Sequence, residues 1–145
     1  MSPIRPPRRA VSRHRAGDYW KVSTCLMESA RTLLTLGDKE YGNAIGICVI
    51  HAVISANDAV TVHHGGARCS SDQHLDAQKL LQEVIRTVPD VALRSFSAVV
   101  RAKFEYEYSG DIFTPAAARK LLAKAERFYE WAGQQLAYCA YNPAP

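Results

Sequence analysis

One stretch of the sequence constrains the fold more than any other: it begins at Asp38 and continues for about 25 residues without a proline. Its apolar residues recur three and four positions apart, which is the spacing of a helix. Many of the remaining positions carry small residues, namely Gly42, Ala44, Gly46, Ala52, Ser55, Ala56 and Ala59. Because small side chains let neighbouring helices approach closely, we expect a long central helix that contacts several others.

Two segments beside this stretch also have helical spacing. Residues 18–36 form the first, and Gly37 stands where a helix stop is expected. The other follows the central helix, with Ser70 or Ser71 as its cap and Pro89 after its end. They predict a helix before and a helix after the central one.

The last part of the chain predicts two more helices. One begins near Asp90 and fades into a turn at residues 109–111. The other has the clearest start signal in the chain, with Thr114 as cap and Pro115 in the first helical turn. Since no segment alternates with a period of two for the length of a strand, we predict an all-α bundle of about five helices.

The net charge of +4 belongs to the beginning of the chain. Five of the 18 basic residues precede the first acidic one, and without them 13 basic residues face 14 acidic ones, so the rest of the chain is near neutral. We therefore expect a flexible basic arm at residues 1–16, a single helical-bundle domain at residues 17–141 and a tail at residues 142–145. The arm is interpreted either as a solvated tail or as a salt-sensitive contact to phosphates.

Cysteine usage and missing motifs narrow the classes of function. The four cysteines have no Cys-x-x-Cys spacing, which favours reduced, packed thiols and a cytoplasmic protein. No run of about 18 apolar residues predicts a membrane span. The Gly-rich phosphate loop, the Gly-x-Ser-x-Gly elbow and the His-Glu-x-x-His motif are absent, which argues against common nucleotide hydrolases and zinc proteases. We expect no cofactor.

Residues 63–74 form a polar segment that holds three of the five histidines. His63, His64, Cys69 and His74 are metal ligands by type. Their spacing matches no standard metal site, however, and neighbouring histidines are common at helix ends, so we predict no metal centre. A role in reading DNA is also disfavoured, because no basic recognition helix is evident.

Within this segment, Arg68 and His74 are the predicted catalytic pair. A neutral imidazole can take the proton of a ribose 2′-hydroxyl, while a guanidinium stabilises the charge that develops on the adjacent phosphate. Together the two residues would suffice for metal-independent RNA cleavage. In the structural alternative, His74 bonds a neighbouring carboxylate or the backbone, and Arg68 pairs with Asp72 or Asp76.

The arrangement resembles the HEPN family of small helical domains over residues 18–140. The resemblance rests on the small-residue helix at 43–59, on Arg68 and on residues 72–77, with support from the aromatic residues 104–106 and the last helix. It implies an up-and-down bundle that often forms a homodimer, and an Arg followed four to six residues later by a His as the active site. Many members are ribonucleases or RNA binders of toxin–antitoxin and defence systems, and some partner with a nucleotidyltransferase or bind nucleotides.

The leading hypothesis is therefore a dimeric, HEPN-like protein that binds RNA or nucleotides and can act as a metal-independent ribonuclease. Beside the catalytic pair, we expect four binding residues: Asn57, Asp58, His64 and Asp72.

Two other interpretations stay open. One is a non-catalytic interaction module, in which Asn57 and Asp58 face a cleft or a partner and His51 is a core or interface histidine. The other is a small-ligand pocket between helices, for which the candidate walls are Trp20, Tyr41, Tyr106 and Trp131.

Overall fold

The computed structural model describes residues 4–37 and 39–137. Over this part of the chain, six α-helices and two short β-strands follow one another. They are β1 (Arg8–Ala10), α1 (Ala16–Leu36), α2 (Gly42–Gly65), β2 (Ala67–Cys69), α3 (His74–Val84), α4 (Asp90–Arg101), α5 (Lys103–Tyr108) and α6 (Pro115–Ala137). The predicted all-α bundle is confirmed. Asp38, where the central helix was predicted to begin, lies outside the described residues, as do the tail at 142–145 and Cys139.

Helix α2 is the core of the bundle, as its small residues predict. It packs mainly against α1 on one side and α6 on another, and most of its length is buried. Glycine is required where neighbours come closest: a Cβ on Gly46 would overlap the ring of Tyr106, and a Cβ on Gly42 would overlap the carbonyl of Phe113. The small-residue pattern therefore reflects close packing against α5 and the segment that precedes α6.

By length and composition, the central helix is also apolar enough to cross a membrane. The segment Lys39–Gly65 has a window with a mean hydropathy of 1.7, of which 72% is buried within the bundle. No membrane span was predicted from the sequence, because the apolar residues of this segment do not form an uninterrupted run of about 18. Burial by neighbouring helices accounts for the hydropathy of a core helix.

Several predicted helix boundaries are confirmed. Helix α1 ends at Gly37, which adopts a left-handed conformation with φ of 70°. Helix α4 begins at Asp90, after Pro89. The amide of Ala117 donates a hydrogen bond of 3.1 Å to the Thr114 side chain, as expected for a cap of α6.

Other boundaries differ from the prediction. The predicted fourth helix is divided at Ala102 into α4 and α5. Neither Ser70 nor Ser71 caps α3, whose N-cap residue is Gln73. The Ser71 hydroxyl instead accepts a hydrogen bond of 3.0 Å from the Gln73 amide, so it shapes the turn before the helix.

The basic arm differs most from expectation. Residues 8–10 pair with residues 67–69 as an antiparallel ladder, flanked by a hydrogen bond of 2.9 Å from the Val11 amide to the Gly66 carbonyl. On α3, Glu83 accepts hydrogen bonds from both Arg8 and Arg5. The described part of the predicted arm is therefore attached to the bundle, because its backbone bonds to the turn after α2 and the side chains of Arg5 and Arg8 pair with Glu83.

The cysteines that the structure describes carry no disulfide: Cys25 is exposed, Cys48 is half-buried and Cys69 is buried. Burial raises the pKa of the Cys48 and Cys69 thiols, which keeps both protonated at neutral pH.

Candidate functional site

The described part of the chain contains a groove of about 840 Å³. One wall is made by α2, β2 and the turn into α3, and the facing wall is made by the end of α4 and by α5. Five of the six predicted site residues line this groove: Asn57, Asp58, Arg68, Asp72 and His74. The fold thus brings together residues that the sequence separates into two groups.

Arg68 is positioned by β2 and held from two sides. Its guanidinium carbon lies 5.7 Å from the centre of the Tyr19 ring, and its Nε lies 3.6 Å from Oδ2 of Asp58. That Nε is buried and has no hydrogen-bond partner among the described residues, although 39% of the side chain is exposed. Arg68 therefore pairs with Asp58, and not with Asp72 or Asp76 as the structural alternative proposed.

Asp58 and Asn57 project from the buried middle of α2 to the groove. Asp58 is 5% exposed, and burial raises its pKa to about 6, against the opposing effect of the Arg68 charge. Asn57 is 1% exposed, and its Oδ1 has no hydrogen-bond partner in the described chain. Buried polar groups are normally satisfied, and strongly shifted carboxyl groups are concentrated at functional sites. Both residues therefore mark this part of the groove as a candidate site.

His74 is the first residue of α3 and lies half-buried at the edge of the groove. Its imidazole makes no hydrogen bond or ion pair with any of the described residues, so among them it has neither the carboxylate nor the backbone partner that the structural alternative proposed. Its imidazole is free to meet a ligand. Asp72, two residues earlier, is exposed at the same edge.

The facing wall supplies residues that the sequence analysis did not select. Phe104 and Tyr108 are each 67% exposed, lie one helical turn apart on α5, and have ring centres 6.1 Å apart. Arg101 and Lys103 add positive charge beside them. The available signal was the spacing of residues 101, 104 and 108, which places them on one face of a helix. Tyr106, which lies between Phe104 and Tyr108 in the sequence, is buried.

His51 also lines the groove, from α2. Its Nε2 lies 2.6 Å from Oε1 of Glu107 on α5, so the pair links the two walls. The interpretation of His51 as an internal or interface histidine missed this partner, because the contact joins residues far apart in sequence.

His64 is the predicted binding residue that the groove does not include. It lies about two helical turns beyond Asn57, where its Nε2 is 3.1 Å from the backbone oxygen of Gln135 on α6. The His64 ring lies edge-on to the ring of His63. The pKa of His63 is lowered, mainly by burial and to a smaller extent by the charges of His64 and Arg13. Both histidines therefore serve the packing at the end of α2.

The other site hypotheses find little support in the geometry. The described residues contain no group of three or more His, Cys, Asp or Glu side chains able to hold a metal ion. Trp20 stacks on Tyr129 with ring centres 4.5 Å apart, and Tyr106 stacks on Phe113 at 4.0 Å. None of the four aromatic residues proposed as pocket walls lines the groove.

Comparison of the chain with protein-family models, curated proteins and solved structures gave no match.

Proposed function

We propose that the groove binds single-stranded RNA or its nucleotides, and that Arg68 and His74 cleave the bound RNA without a metal ion. The proposal rests on one observation: groups suited to cleave RNA and groups suited to bind its bases line the same groove. An arginine and an unbonded histidine lie on one wall, and two exposed aromatic rings lie on the other.

The aromatic wall favours nucleotides as ligands. Exposed aromatic side chains on a rigid helix provide surfaces on which bases stack, and such stacking contributes about 1–3 kcal/mol per base. Phe104 and Tyr108 have this character, and Arg101 and Lys103 beside them offer charges to the phosphates between the bases. Asn57 also lines the groove, and its buried Oδ1 is an acceptor without a hydrogen-bond partner among the described residues.

The opposite wall carries the groups that cleavage requires. In the proposed reaction, His74 takes the proton of a ribose 2′-hydroxyl, and the 2′-oxygen forms a bond to the adjacent phosphorus. The bond from phosphorus to the 5′-oxygen breaks, and that oxygen takes a proton from water. Arg68 stabilises the charge on the phosphate during this step. The products are a 2′,3′-cyclic phosphate and a 5′-hydroxyl end.

Because the chain resembles HEPN domains, we also propose that it acts as the nucleases of that family do. The position of Arg68 and His74 after the second long helix corresponds to the arginine and histidine of nucleases in that family. On this proposal the protein acts as a homodimer in a toxin–antitoxin or defence system, with an antitoxin or a nucleotidyltransferase as a further partner.

Binding and cleavage can be tested separately. Binding is measured by fluorescence anisotropy of a labelled, short, single-stranded RNA whose riboses carry 2′-fluoro groups and cannot react. We expect Phe104→Ala to weaken binding by about fivefold or more, since one stacked base is lost. Leu36→Ala, which truncates an exposed apolar side chain away from the groove, is the matched control and should have no effect.

Cleavage is measured by gel electrophoresis of the unmodified RNA in the presence of EDTA. We expect activity in the parent, its loss in His74→Ala and Arg68→Ala, and retention in His14→Ala, whose histidine lies outside the groove. Binding without cleavage would refute the catalytic assignment. Absence of binding in the parent would refute the whole proposal and favour the interaction module.

A further inference from the structure

The register of the two strands places two arginines directly opposite each other. In the antiparallel ladder, Arg9 of β1 pairs with Arg68 of β2, so both side chains leave the same face of the ladder. They line a small polar hollow of about 160 Å³, together with Ser70, Ser71 and Asp72. The hollow is continuous with the groove, because Arg68, Ser71 and Asp72 line both.

The neighbouring arginine shows what is unusual about Arg9. Arg8 leaves the opposite face of β1, and two of its guanidinium nitrogens donate to the two carboxylate oxygens of Glu83. These hydrogen bonds lower the pKa of Glu83 to about 2. The side chain of Arg9, by contrast, is exposed and makes no ion pair or hydrogen bond with any of the described residues.

The strand does not need Arg9 in order to dock. Its backbone is held at one end by the hydrogen bond from Val11 to Gly66, and at the other by a hydrogen bond of 3.2 Å from the Ser70 amide to the Pro7 carbonyl. Like charges directly opposite each other on a ladder are destabilising. The arginine pair is therefore an unfavourable arrangement for the free protein, and one that a bound anion would turn into a favourable one.

We propose that Arg9 and Arg68 together bind one phosphate group of a nucleic-acid backbone, next to the phosphate that lies in the groove. This inference rests on the proposed function. Two guanidinium groups and one exposed carboxylate, that of Asp72, line the hollow, and Asp58, the partner of Arg68, lies outside this lining, so the charge of Arg9 is the one without a carboxylate partner among the described residues. Arg68 stands at the junction, so a strand that leaves the groove past Arg68 brings its next phosphate under Arg9. The Ser70 hydroxyl is a further donor at this position.

The test uses the full chain and the short 2′-fluoro oligonucleotide described above, over a series of salt concentrations. We expect Arg9→Gln to weaken binding about tenfold, as the loss of one charge-assisted contact implies. It should also reduce the slope of log Kd against log salt by about 0.7, the value for one phosphate contact on a single strand. The affinity of Arg9→Lys should lie between those of the parent and Arg9→Gln, because lysine keeps the charge and lacks the planar guanidinium.

The matched control is Arg94→Gln, which removes an equal charge from an exposed position on α4 that lines neither the groove nor the hollow. We expect less than about a twofold change in its affinity. Equal effects of Arg9→Gln and Arg94→Gln would overturn the inference, since Arg9 would then contribute only to the overall charge.

A second probe separates this inference from the proposed function. If the parent binds no oligonucleotide, the function proposed for the groove fails, and the hollow is then tested by thermal unfolding with inorganic pyrophosphate. A rise in Tm for the parent and Arg94→Gln, but not for Arg9→Gln, would support an anion site at the arginine pair. No rise, or the same rise in all three proteins, would overturn it.

Discussion

Replacement of Asp58 by asparagine should change how the stability of the protein depends on pH. Asp58 is a buried carboxyl group whose pKa is about 6 in the folded chain, compared with an ordinary value of 3.8. Arg68 is its partner at 3.6 Å, yet desolvation is the larger effect. The folded state therefore holds the Asp58 proton more tightly than the unfolded state does.

The sign and size of the effect follow from the two pKa values. Below pH 3.8 both states are protonated, so Asp58 contributes nothing to the pH dependence. Between pH 3.8 and about 6 only the unfolded state releases its proton, so the free energy of unfolding falls as the pH rises. The two pKa values differ by about 2.2, and each pKa unit corresponds to about 1.36 kcal/mol. Above pH 6, Asp58 therefore lowers the free energy of unfolding by roughly 3 kcal/mol.

In Asp58→Asn this penalty is absent at every pH. The cost of placing an amide beside Arg68 is a constant offset, because it does not depend on the proton. We therefore expect the free energy of unfolding of the variant, relative to the parent, to rise by roughly 2 kcal/mol between pH 4 and pH 8. Asp111→Asn is the control, since it changes an exposed carboxyl group and should give a curve parallel to that of the parent.

Urea unfolding followed by tryptophan fluorescence, at a series of pH values, measures these differences. Trp20 and Trp131 both pack against the core, so their emission reports global unfolding. If the curves for Asp58→Asn and the parent stay parallel from pH 4 to pH 8, Asp58 is not the desolvated acid described above. Its pKa would then no longer indicate a functional site in the groove.

Two further predictions concern the bundle. Gly46→Ala should destabilise the protein by about 1–3 kcal/mol in urea unfolding, because the added methyl group overlaps Tyr106, whereas Gly17→Ala, with open space around its Cβ position, should be neutral or stabilising. Equal stabilities of these two variants would contradict the close packing of α2 and α5. Thr114→Ala should cost about 1 kcal/mol by loss of the cap of α6, and a thermal unfolding curve unchanged from that of the parent would contradict that role.

The features predicted correctly from the sequence are those fixed by neighbouring residues. Gly37 ends α1 because it can adopt a left-handed backbone, and Thr114 begins α6 because its hydroxyl reaches an amide three residues ahead. The division of α4 from α5 at Ala102 carries no such local signal, since neither glycine nor proline stands there.

The β-ladder could not be predicted for a related reason. Each strand has only three residues, which is too short to show an alternating pattern, and the partners lie on opposite sides of α1 and α2 in the sequence. The arm was therefore interpreted from its arginines and prolines alone, and the carboxylate that receives Arg8 and Arg5 was not considered.

For the candidate site, the sequence predicted most of the residues of one wall, and it did not predict the wall formed by α4 and α5. Arg68 and His74 were selected by residue type and spacing, and Asn57 and Asp58 because polar residues inside an apolar helix need a cleft or a partner. His64 has the same residue type as His74, and only the position of α6 shows that its partner is a backbone carbonyl.

The β1–β2 ladder has a consequence for the order in which the molecule is assembled. β1 precedes α1 and β2 follows α2, so the two strands meet only after these helices have folded back on each other as a hairpin. Contacts that close a long loop form later than contacts within or between adjacent helices. We therefore expect the contact of Arg68 with Tyr19, which crosses this loop, to form late and together with the ladder, whereas the contact with Asp58 joins residues that are close in sequence.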